Sequence, residues 1–268
     1  MNILTLKIIV PVKQVPEVAE VKINEETGTL IRDGVPSILN PFDEYAVEAA
    51  IQLKEKFGGE VTVITMGPPQ AKDALLKALA MGADKAVLIS DPAAEGSDAL
   101  ATAKALGAAI KGLQPDLIFT GQRGVDEDMG IVGAALAEDL GIPHFSVINK
   151  VEVAADGKSV KCYKPVEGQT LVFEAPLPVV ITAQKGLNEP RYASLPGIMK
   201  AKKKPLEEKT LAALGLNPSE FGEGARKLKI TEITPPPTRK AGKIVQGDSP
   251  ESKAKELAKL LHEEAKAI

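Results

Sequence analysis

The chain has 268 residues, with 33 Lys and Arg against 36 Asp and Glu, which gives a formal net charge of −3. This balance does not favour general nucleic-acid binding, which usually requires a basic domain. Hydrophobic residues make up 44% of the chain and aromatic residues only 3%, so the sequence predicts a globular protein with a core of Val, Ile, Leu and Ala. The single cysteine, Cys162, excludes an internal disulfide framework and a Cys-cluster zinc site.

The first residues are apolar but do not indicate a membrane segment. No apolar run reaches the roughly 18 residues that a transmembrane helix needs, so no membrane insertion is expected. Residues 1–12 lack the basic start and the small-residue cleavage site of a secretory signal peptide. We interpret Leu6–Val12 as a buried first strand and expect the protein in the cytoplasm.

Short apolar runs alternate with helical patterns through the first half of the chain. The runs predict strands at Leu6–Val12, Val61–Met66, Ala86–Ile89 and Leu117–Thr120. Helical spacing predicts helices at Asp43–Phe57, Gln70–Met81, Ser97–Lys111 with Ser97 as N-cap, and Asp126–Leu140. This order predicts an α/β fold, in which helices flank a mostly parallel, Rossmann-like sheet.

The pattern changes in the second half. Strands are predicted at Lys150–Ala154, Ser159–Tyr163, Thr170–Ala175 and Val179–Thr182, and the first two form a hairpin with its turn at Asp156-Gly157. Residues 183–247 lack sustained periodicity and are rich in Pro, Gly and Lys, which is typical of a functional segment or one that wraps a partner. A terminal helix is predicted at Pro250–Lys266. We therefore expect an α/β domain over 1–182, and an extended arm with a terminal helix over 183–268.

The segment Gly121–Gly133, GQRGVDEDMGIVG, is the first candidate site. It follows a predicted strand and opens a predicted helix, where open α/β sheets bind ligands with unpaired helix N–H groups. Gly121 and Gly124 would permit a tight turn, and Gly130 and Gly133 a close approach to the helix. The spacing matches neither a P-loop nor the dinucleotide fingerprint. On these residues alone, helix capping and helix–strand packing without a ligand is the alternative interpretation.

Three further segments lie at predicted strand or helix ends. They are Pro11–Lys13, Asn40–Asp43 and Met66–Pro68, and either Asn40 or Asp43 could cap the helix that follows. Each alone is typical of an ordinary turn. Together with Gly121–Gly133 they predict one nucleotide-sized cleft at the carboxyl edge of the sheet.

No residue pattern indicates a hydrolytic or redox catalyst. Cys162 lies in a predicted strand without a nearby histidine, so a packed thiol is favoured over a nucleophile. His144 at a strand start and His262 on the last helix are interpreted as structural residues. No metal site is predicted.

The segment Asn188–Pro205, NEPRYASLPGIMKAKKKP, is the second candidate site. It combines rigid turns at Pro190 and Pro196 with the apolar residues Leu195, Ile198 and Met199. Lys200, Lys202, Lys203 and Lys204 come directly after. A basic run can be a solvated surface or can bind nucleic acid. The apolar residues favour instead an anchor presented to another protein, with the lysines steering it to an acidic surface.

Six segments together resemble the β-subunit family of electron transfer flavoproteins, and the resemblance extends over nearly the whole chain. They are Val12–Val15, Asp33–Ala50, Met66–Gln70, Ala78–Ala86, Gly121–Gly133 and, above all, Leu187–Pro205. The resemblance implies a fold of the adenine nucleotide α hydrolase-like type. It also implies that the arm over 183–268 combines a partner-recognition loop, Ala183–Lys204, with an extension that wraps an α subunit.

The resemblance implies a non-enzymatic electron carrier. Such a protein forms an αβ heterodimer, holds a structural AMP in the β subunit, and shares an FAD that the α subunit binds for the most part. It accepts electrons from acyl-CoA or related flavin dehydrogenases and passes them to a quinone oxidoreductase or another acceptor.

The family motifs carry site residues over by matching position. AMP contacts are expected at Pro11, Asn40, Pro41, Phe42, Asp43, Met66, Gly121, Gln122, Arg123, Gly124, Val125, Asp126, Glu127, Asp128, Met129, Gly130, Ile131 and Val132. Phe42 is also expected near the flavin ring. Partner contacts are expected at Leu195, the anchor, and at Arg191, Tyr192, Pro196, Ile198, Met199 and Lys200.

The chain departs from the family pattern in two places. Pro11 stands where a small residue is common, and Val18 stands where an aromatic residue usually approaches the flavin. One branch of the family replaces AMP with a second FAD, oxidises NADH and bifurcates its electrons. That branch has glycine at the position of Glu127. The bulk and charge of the Glu127 side chain disfavour a second phosphate, so this residue favours AMP over a second FAD. A stand-alone nucleotide-binding module is a third interpretation, which the partner-recognition loop argues against.

Overall fold

A seven-stranded, fully parallel sheet organises the first of two compact units, Met1–Thr231, and the second unit is Glu232–Ile268. This computed structural model describes residues 5–17, 23–24, 29–30, 35–228, 231 and 241–268. The α/β fold with a parallel sheet is confirmed. The functional boundary between residues 182 and 183 stays a prediction.

The strands, in chain order, are β1 Leu6–Pro11, β2 Gln14–Pro16, β3 Ile23–Asn24, β4 Thr29–Leu30, β5 Ser37–Leu39, β6 Gly59–Met66, β7 Lys85–Ile89, β8 Leu117–Gly121, β9 His144–Ile148, β10 Lys150–Val153, β11 Ser159–Val166, β12 Gln169–Pro176, β13 Val179–Ala183 and β14 Leu206–Lys209. The helices are α1 Pro41–Phe57, α2 Lys72–Met81, α3 Ala99–Lys111, α4 Val132–Leu140, α5 Leu195–Ala201 and α6 Pro250–Glu263. The large sheet has the order β14-β7-β6-β1-β8-β13-β9, which places β1 and β8 side by side at its centre.

The central strands are apolar along nearly their whole length because helices cover both faces of the sheet. Helices α1 and α2 pack on one face, and α3 and α4 pack on the other. The core consists mainly of Val, Ile, Leu and Ala, as the composition predicts, with Phe119 of β8 as one of its largest fully buried side chains. Since all seven strands run parallel, their carboxyl ends meet at one edge.

Each of the four helices predicted in the first half starts at a different residue from the one expected, and α3 and α4 show the physical reasons. The N-cap of α3 is Asp98 and not Ser97, because the Asp98 carboxylate accepts hydrogen bonds from the first-turn amides at 2.9 and 3.1 Å. Ser97 instead accepts a hydrogen bond from Gly222 N at 2.9 Å. Helix α4 begins at Val132 and not Asp126. The intervening residues Asp128 (φ 56°) and Gly130 (φ 62°) have left-handed backbones, which interrupt a right-handed helix.

The second half contains the predicted hairpin and two elements that the sequence did not predict. Strands β10 and β11 pair as expected, with Val153 opposite Val160, and β12 completes a three-stranded antiparallel sheet. The stretch without periodicity nevertheless includes α5 and β14, and β14 extends the large sheet beside β7. Both are short, and α5 has few buried residues, so neither produces a periodic pattern. In the second unit, α6 starts with a Ser249–Ser252 capping box and ends at Glu263, three residues before the predicted end at Lys266.

Among the described residues, no helix combines the length and the apolar character needed to cross a membrane.

We predict that Cys162 is inert in the folded protein. Its side chain is fully buried in β11, opposite Phe173 of β12, and burial raises the pKa of the thiol to about 12. At pH 8 roughly one thiol in 10⁴ is then ionised, so a thiol-specific dye should not label the native chain. After unfolding, the same dye should label one thiol per chain. Stoichiometric labelling of the native protein within minutes would contradict this packing.

Candidate functional site

The Asp43 carboxyl group joins the ends of two central strands to the start of α1. Its Oδ2 accepts a hydrogen bond from Lys13 N at 2.6 Å, just after β1, and its Oδ1 accepts one from Gly121 N at 3.1 Å, at the end of β8. The approach is so close that a Cβ at Gly121 would lie 2.1 Å from Oδ1. Gly121 is therefore required for the close approach of Asp43, whereas the sequence predicted a tight turn at this glycine.

The Asn40 side chain, immediately before α1, forms hydrogen bonds with the backbone of the glycine-rich segment after Gly121. Its Nδ2 donates to Arg123 O at 2.9 Å, and its Oδ1 accepts from Val125 N at 3.2 Å. Asn40 is the N-cap residue of α1, as one of the two predicted candidates, but its side chain makes no capping bond because it bonds to the glycine-rich segment. These bonds fix the backbone of the loop Gly121–Ile131, which we call the site loop.

The charged side chains of the site loop are paired within the chain. Lys13 Nζ lies 2.9 Å from Asp126 Oδ2 and 3.1 Å from Glu127 Oε2, and Arg123 Nη1 lies 2.9 Å from Asp128 Oδ1. These cations offset the carboxylates that would otherwise repel a phosphate. Lys13 is absent from the contacts that the resemblance implies, but it belongs to the segment Pro11–Lys13, which the sequence placed at the cleft from its position after the first strand.

Apolar side chains and an uncapped helix start lie along the rest of the site loop. Val125, Met129 and Ile131 are each about two-fifths exposed. Helix α4 begins without a side-chain cap at Ile131, so N–H groups of its first turn are available to an anion. An apolar surface beside an uncapped helix is suited to a base and a phosphate.

The remaining predicted contacts lie at the same edge of the sheet. Pro11 and Met66 end β1 and β6, Pro41 is the first residue of α1, and Gln122 N donates to Ala183 O at 2.9 Å.

Further hydrogen bonds hold the segments that follow these strands. The segment after β1 is joined to the segment after β6, because Gln14 Nε2 donates to Gln70 O at 3.0 Å. Gly124 O accepts a hydrogen bond from Asp128 N at 2.9 Å, which closes a turn of the site loop. Val18, which stands where the family usually has an aromatic residue near the flavin, lies outside the described residues.

Gly133 permits the predicted close approach to the helix, but strand side chains and not a ligand make that approach. A Cβ there would lie 2.6 Å from Thr182 Cγ2 and 2.9 Å from Thr120 Oγ1, so strand side chains occupy that space. Helix–strand packing, the alternative interpretation of the glycines, therefore holds at Gly133. Such packing does not account for the exposed residues Val125, Met129 and Ile131, which precede α4.

The Phe42 ring lies at the rim of the site. It is half-buried, and the Arg123 guanidinium stands 5.1 Å from the ring centroid, within the range of a cation–π contact. Because Arg123 is also paired with Asp128, the ring and the site loop are connected through one side chain.

The partner segment exposes its apolar side chains and directs polar ones inward. Tyr192, Leu195 and Met199 are 93%, 79% and 73% exposed, and Pro196, Ile198 and Lys200 are also exposed. Arg191 is instead paired with Glu48 and Glu55 of α1. Lys204 was expected among the steering lysines, which is wrong because its Nζ donates to two carbonyls at the end of α2, Leu79 O and Ala83 O.

Burial dominates the electrostatics of Asp43. The side chain is almost fully buried, which raises the pKa of its carboxyl group to about 7, although the hydrogen bonds from Lys13 and Gly121 lower it. Between the unfolded pKa near 3.8 and the folded value, the folded protein holds a proton that the unfolded chain releases. The contribution of this carboxyl group to stability is thus fully present below pH 3.8 and is lost as the pH rises through 7.

We predict that Asp43→Ala lowers the free energy of unfolding by about 2–4 kcal/mol, because two amides lose their acceptor. Urea denaturation of the full-length chain measures this loss. The matched control is Asp116→Ala, which removes one such bond, to Lys7 N, at the opposite edge of the sheet and should cost about 1 kcal/mol.

We predict a pH effect with Asp43→Asn, which cannot titrate. The stability of the unaltered chain relative to this variant should decrease between pH 5 and pH 8, by up to about 1.4 kcal/mol per pH unit. A difference that stays constant over this range would contradict the raised pKa.

Comparisons with known proteins identify the family. The model of the electron transfer flavoprotein domain matches residues 27–214. The electron transfer flavoprotein subunit beta of Clostridium acetobutylicum is 43% identical over 258 residues, covering 96% of this chain and 99% of the relative. The subunit of the same name from Bacillus subtilis is 46% identical over 250 residues, covering 93% and 95%. The caffeyl-CoA reductase-Etf complex subunit CarD of Acetobacterium woodii is 40% identical over 260 residues, covering 96% and 98%. The chain therefore belongs to the electron transfer flavoprotein family, whose members act in electron transfer.

Proposed function

We propose that the chain is the β subunit of an αβ electron carrier and is not itself an enzyme. In this role it accepts electrons from acyl-CoA or related flavin dehydrogenases and passes them to a quinone oxidoreductase or another acceptor, in the cytoplasm. The observation that carries the proposal is similarity over nearly the full length of relatives named as beta subunits. A relative named as a subunit of a caffeyl-CoA reductase complex supports a partner that acts on a CoA thioester.

The site loop is proposed to hold AMP. Asn40 and Asp43 fix the backbone of its first half, so the loop is formed before a ligand arrives. The start of α4 offers N–H groups to a phosphate, and the exposed side chains of Val125 and Met129 offer apolar contact to a base. These are the donors and surfaces that a mononucleotide requires.

The charges of the site loop favour one phosphate over two. Lys13 and Arg123 are already paired with carboxylates, and the side chain of Glu127 adds a negative charge where the resemblance places glycine in FAD-binding relatives. A second phosphate would bring further negative charge beside three carboxylates that only two cations offset. The alternative, a second FAD that oxidises NADH in this site, is therefore disfavoured.

The flavin is proposed to be held mainly by the α subunit, with Phe42 as a contact from this chain. Bound FAD supplies the one- and two-electron chemistry that an electron carrier needs. The half-buried Phe42 ring can offer one face to a neighbouring ring. The Arg123 guanidinium stands 5.1 Å from the centroid of the Phe42 ring. This chain thus contributes an aromatic contact and a fixed nearby cation.

We predict one AMP and one FAD per αβ complex. Co-expressed subunits should be purified and denatured, and the released nucleotides separated by chromatography and quantified. Two FAD without AMP would contradict the proposal and support the NADH-oxidising alternative. A stable monomer with bound nucleotide and no affinity for an α subunit would support a stand-alone nucleotide-binding module instead.

We predict that Leu195→Ala slows electron transfer from the dehydrogenase at least about tenfold, because an exposed anchor side chain is lost. Nucleotide content should stay unchanged, since the site loop is not altered. Leu100→Ala is the matched control, because Leu100 is an exposed leucine on α3 and should leave the rate unaffected. Equal rates for the Leu195 variant and the unaltered protein would show that Leu195 is not an anchor.

A further inference from the structure

The exposed apolar side chains Tyr192, Leu195, Ile198 and Met199, which we call the docking patch, lie on a segment that is held at both ends. Exposed apolar residues on a free loop would adopt many conformations, and binding would have to order them. Here, polar side chains on the same segment point inward and bond to two helices of the first unit.

The upstream end is held on α1. Asn188 Nδ2 donates to Tyr45 O at 2.9 Å. Arg191 Nε donates to Glu48 Oε2 at 2.8 Å, and Nη1 donates to Glu55 Oε1 at 2.6 Å. The second terminal nitrogen of Arg191 bonds to the other oxygen of each carboxylate, so one guanidinium joins two side chains of α1.

The two acidic partners of Arg191 differ in exposure. The side chain of Glu48 is 3% exposed and that of Glu55 is 53% exposed. A buried carboxylate that loses its cation is costly, whereas an exposed pair contributes little. The Arg191–Glu48 pair is therefore the interaction that holds this end of the segment.

The downstream end is held on α2. Ala201 is buried, and a Cβ at Gly197 would lie 2.6 Å from Ala80 O, so α5 packs closely on the end of α2. Lys204 Nζ donates to Leu79 O at 2.9 Å. Ser194 caps α5 through Gly197 N at 3.1 Å. The docking patch thus lies between two fixed points.

We infer that Arg191 is a positioning residue, which holds the docking patch in its binding conformation through Glu48 and Glu55 and does not itself touch the partner. This inference rests on the proposed function. The partner surface is then an apolar pocket with an acidic rim on a flavin dehydrogenase. The apolar side chains of the docking patch fit such a pocket, and the exposed Lys200, Lys202 and Lys203 beside the patch fit the acidic rim. Pre-organisation lowers the ordering cost of association.

The test uses the αβ complex as electron acceptor for a purified acyl-CoA dehydrogenase. Arg191→Ala should raise the KM for the complex about tenfold and leave kcat unchanged, because docking weakens while the flavins are unaffected. Glu55→Gln, which keeps the buried pair, should have a much smaller effect. Lys104→Ala is the matched control. It removes an exposed ion pair between Lys104 of α3 and Glu220, and it should not change KM.

A double-mutant cycle separates positioning from direct contact. If Arg191 acts through the docking patch, Leu195→Ala should have less effect in the Arg191→Ala background than alone. Amide hydrogen exchange over residues 191–199 should also be faster in Arg191→Ala. If that variant does not fold, Arg191→Ala combined with Glu48→Gln removes the unpaired buried charge and serves instead.

The outcomes are distinct. An unchanged KM, or additive effects with unchanged exchange, would overturn the role of Arg191 and leave the proposed function intact. If the unaltered complex accepts no electrons from the dehydrogenase, the proposed function fails, whereas the exchange experiment still reports on Arg191.

Discussion

The site depends on one carboxyl group. Asp43 accepts hydrogen bonds from the backbone at the ends of β1 and β8 while its own backbone lies in the first turn of α1. Without these bonds, the central strands could still pair, but the chain segments that leave them would not be held together. The cost of this arrangement is a buried acid whose pKa burial raises to about 7.

The other contacts of the site follow from that junction. Once Asp43 fixes Gly121, Asn40 can bond to Arg123 and Val125, and Lys13 can reach Asp126 and Glu127. The site is thus built from backbone, helix starts and paired charges more than from aromatic rings. The low aromatic content of the chain agrees with this, because such a site requires few stacking side chains.

The sequence predicts the parts of the fold that depend on local pattern. Buried runs such as Val61–Met66 identify the strands of the sheet, and the turn at Asp156-Gly157 identifies the hairpin. The start of α4 was missed because left-handed backbone at Asp128 leaves no mark in the hydrophobic pattern. Strand β14 was missed because four residues, none of them buried, are too few to show alternation.

The sequence places the candidate site but not its internal bonds. Motif positions bring Asn40, Asp43 and the site loop to one edge of the sheet. The Asp43–Gly121 bond joins residues 78 apart, and the Arg191–Glu48 pair joins residues 143 apart. Such pairings depend on the packed fold and not on spacing, so a role inside the chain for Arg191 could not be read from its neighbours.

The central claim is that this chain carries electrons as part of an αβ complex, and stopped-flow absorbance tests it most directly. The oxidised complex should be mixed without oxygen with an acyl-CoA dehydrogenase that its own substrate has reduced. The account predicts that the flavin of the complex is bleached as the dehydrogenase is reoxidised. A flavin that stays oxidised, while the same dehydrogenase reduces an artificial acceptor, would contradict it.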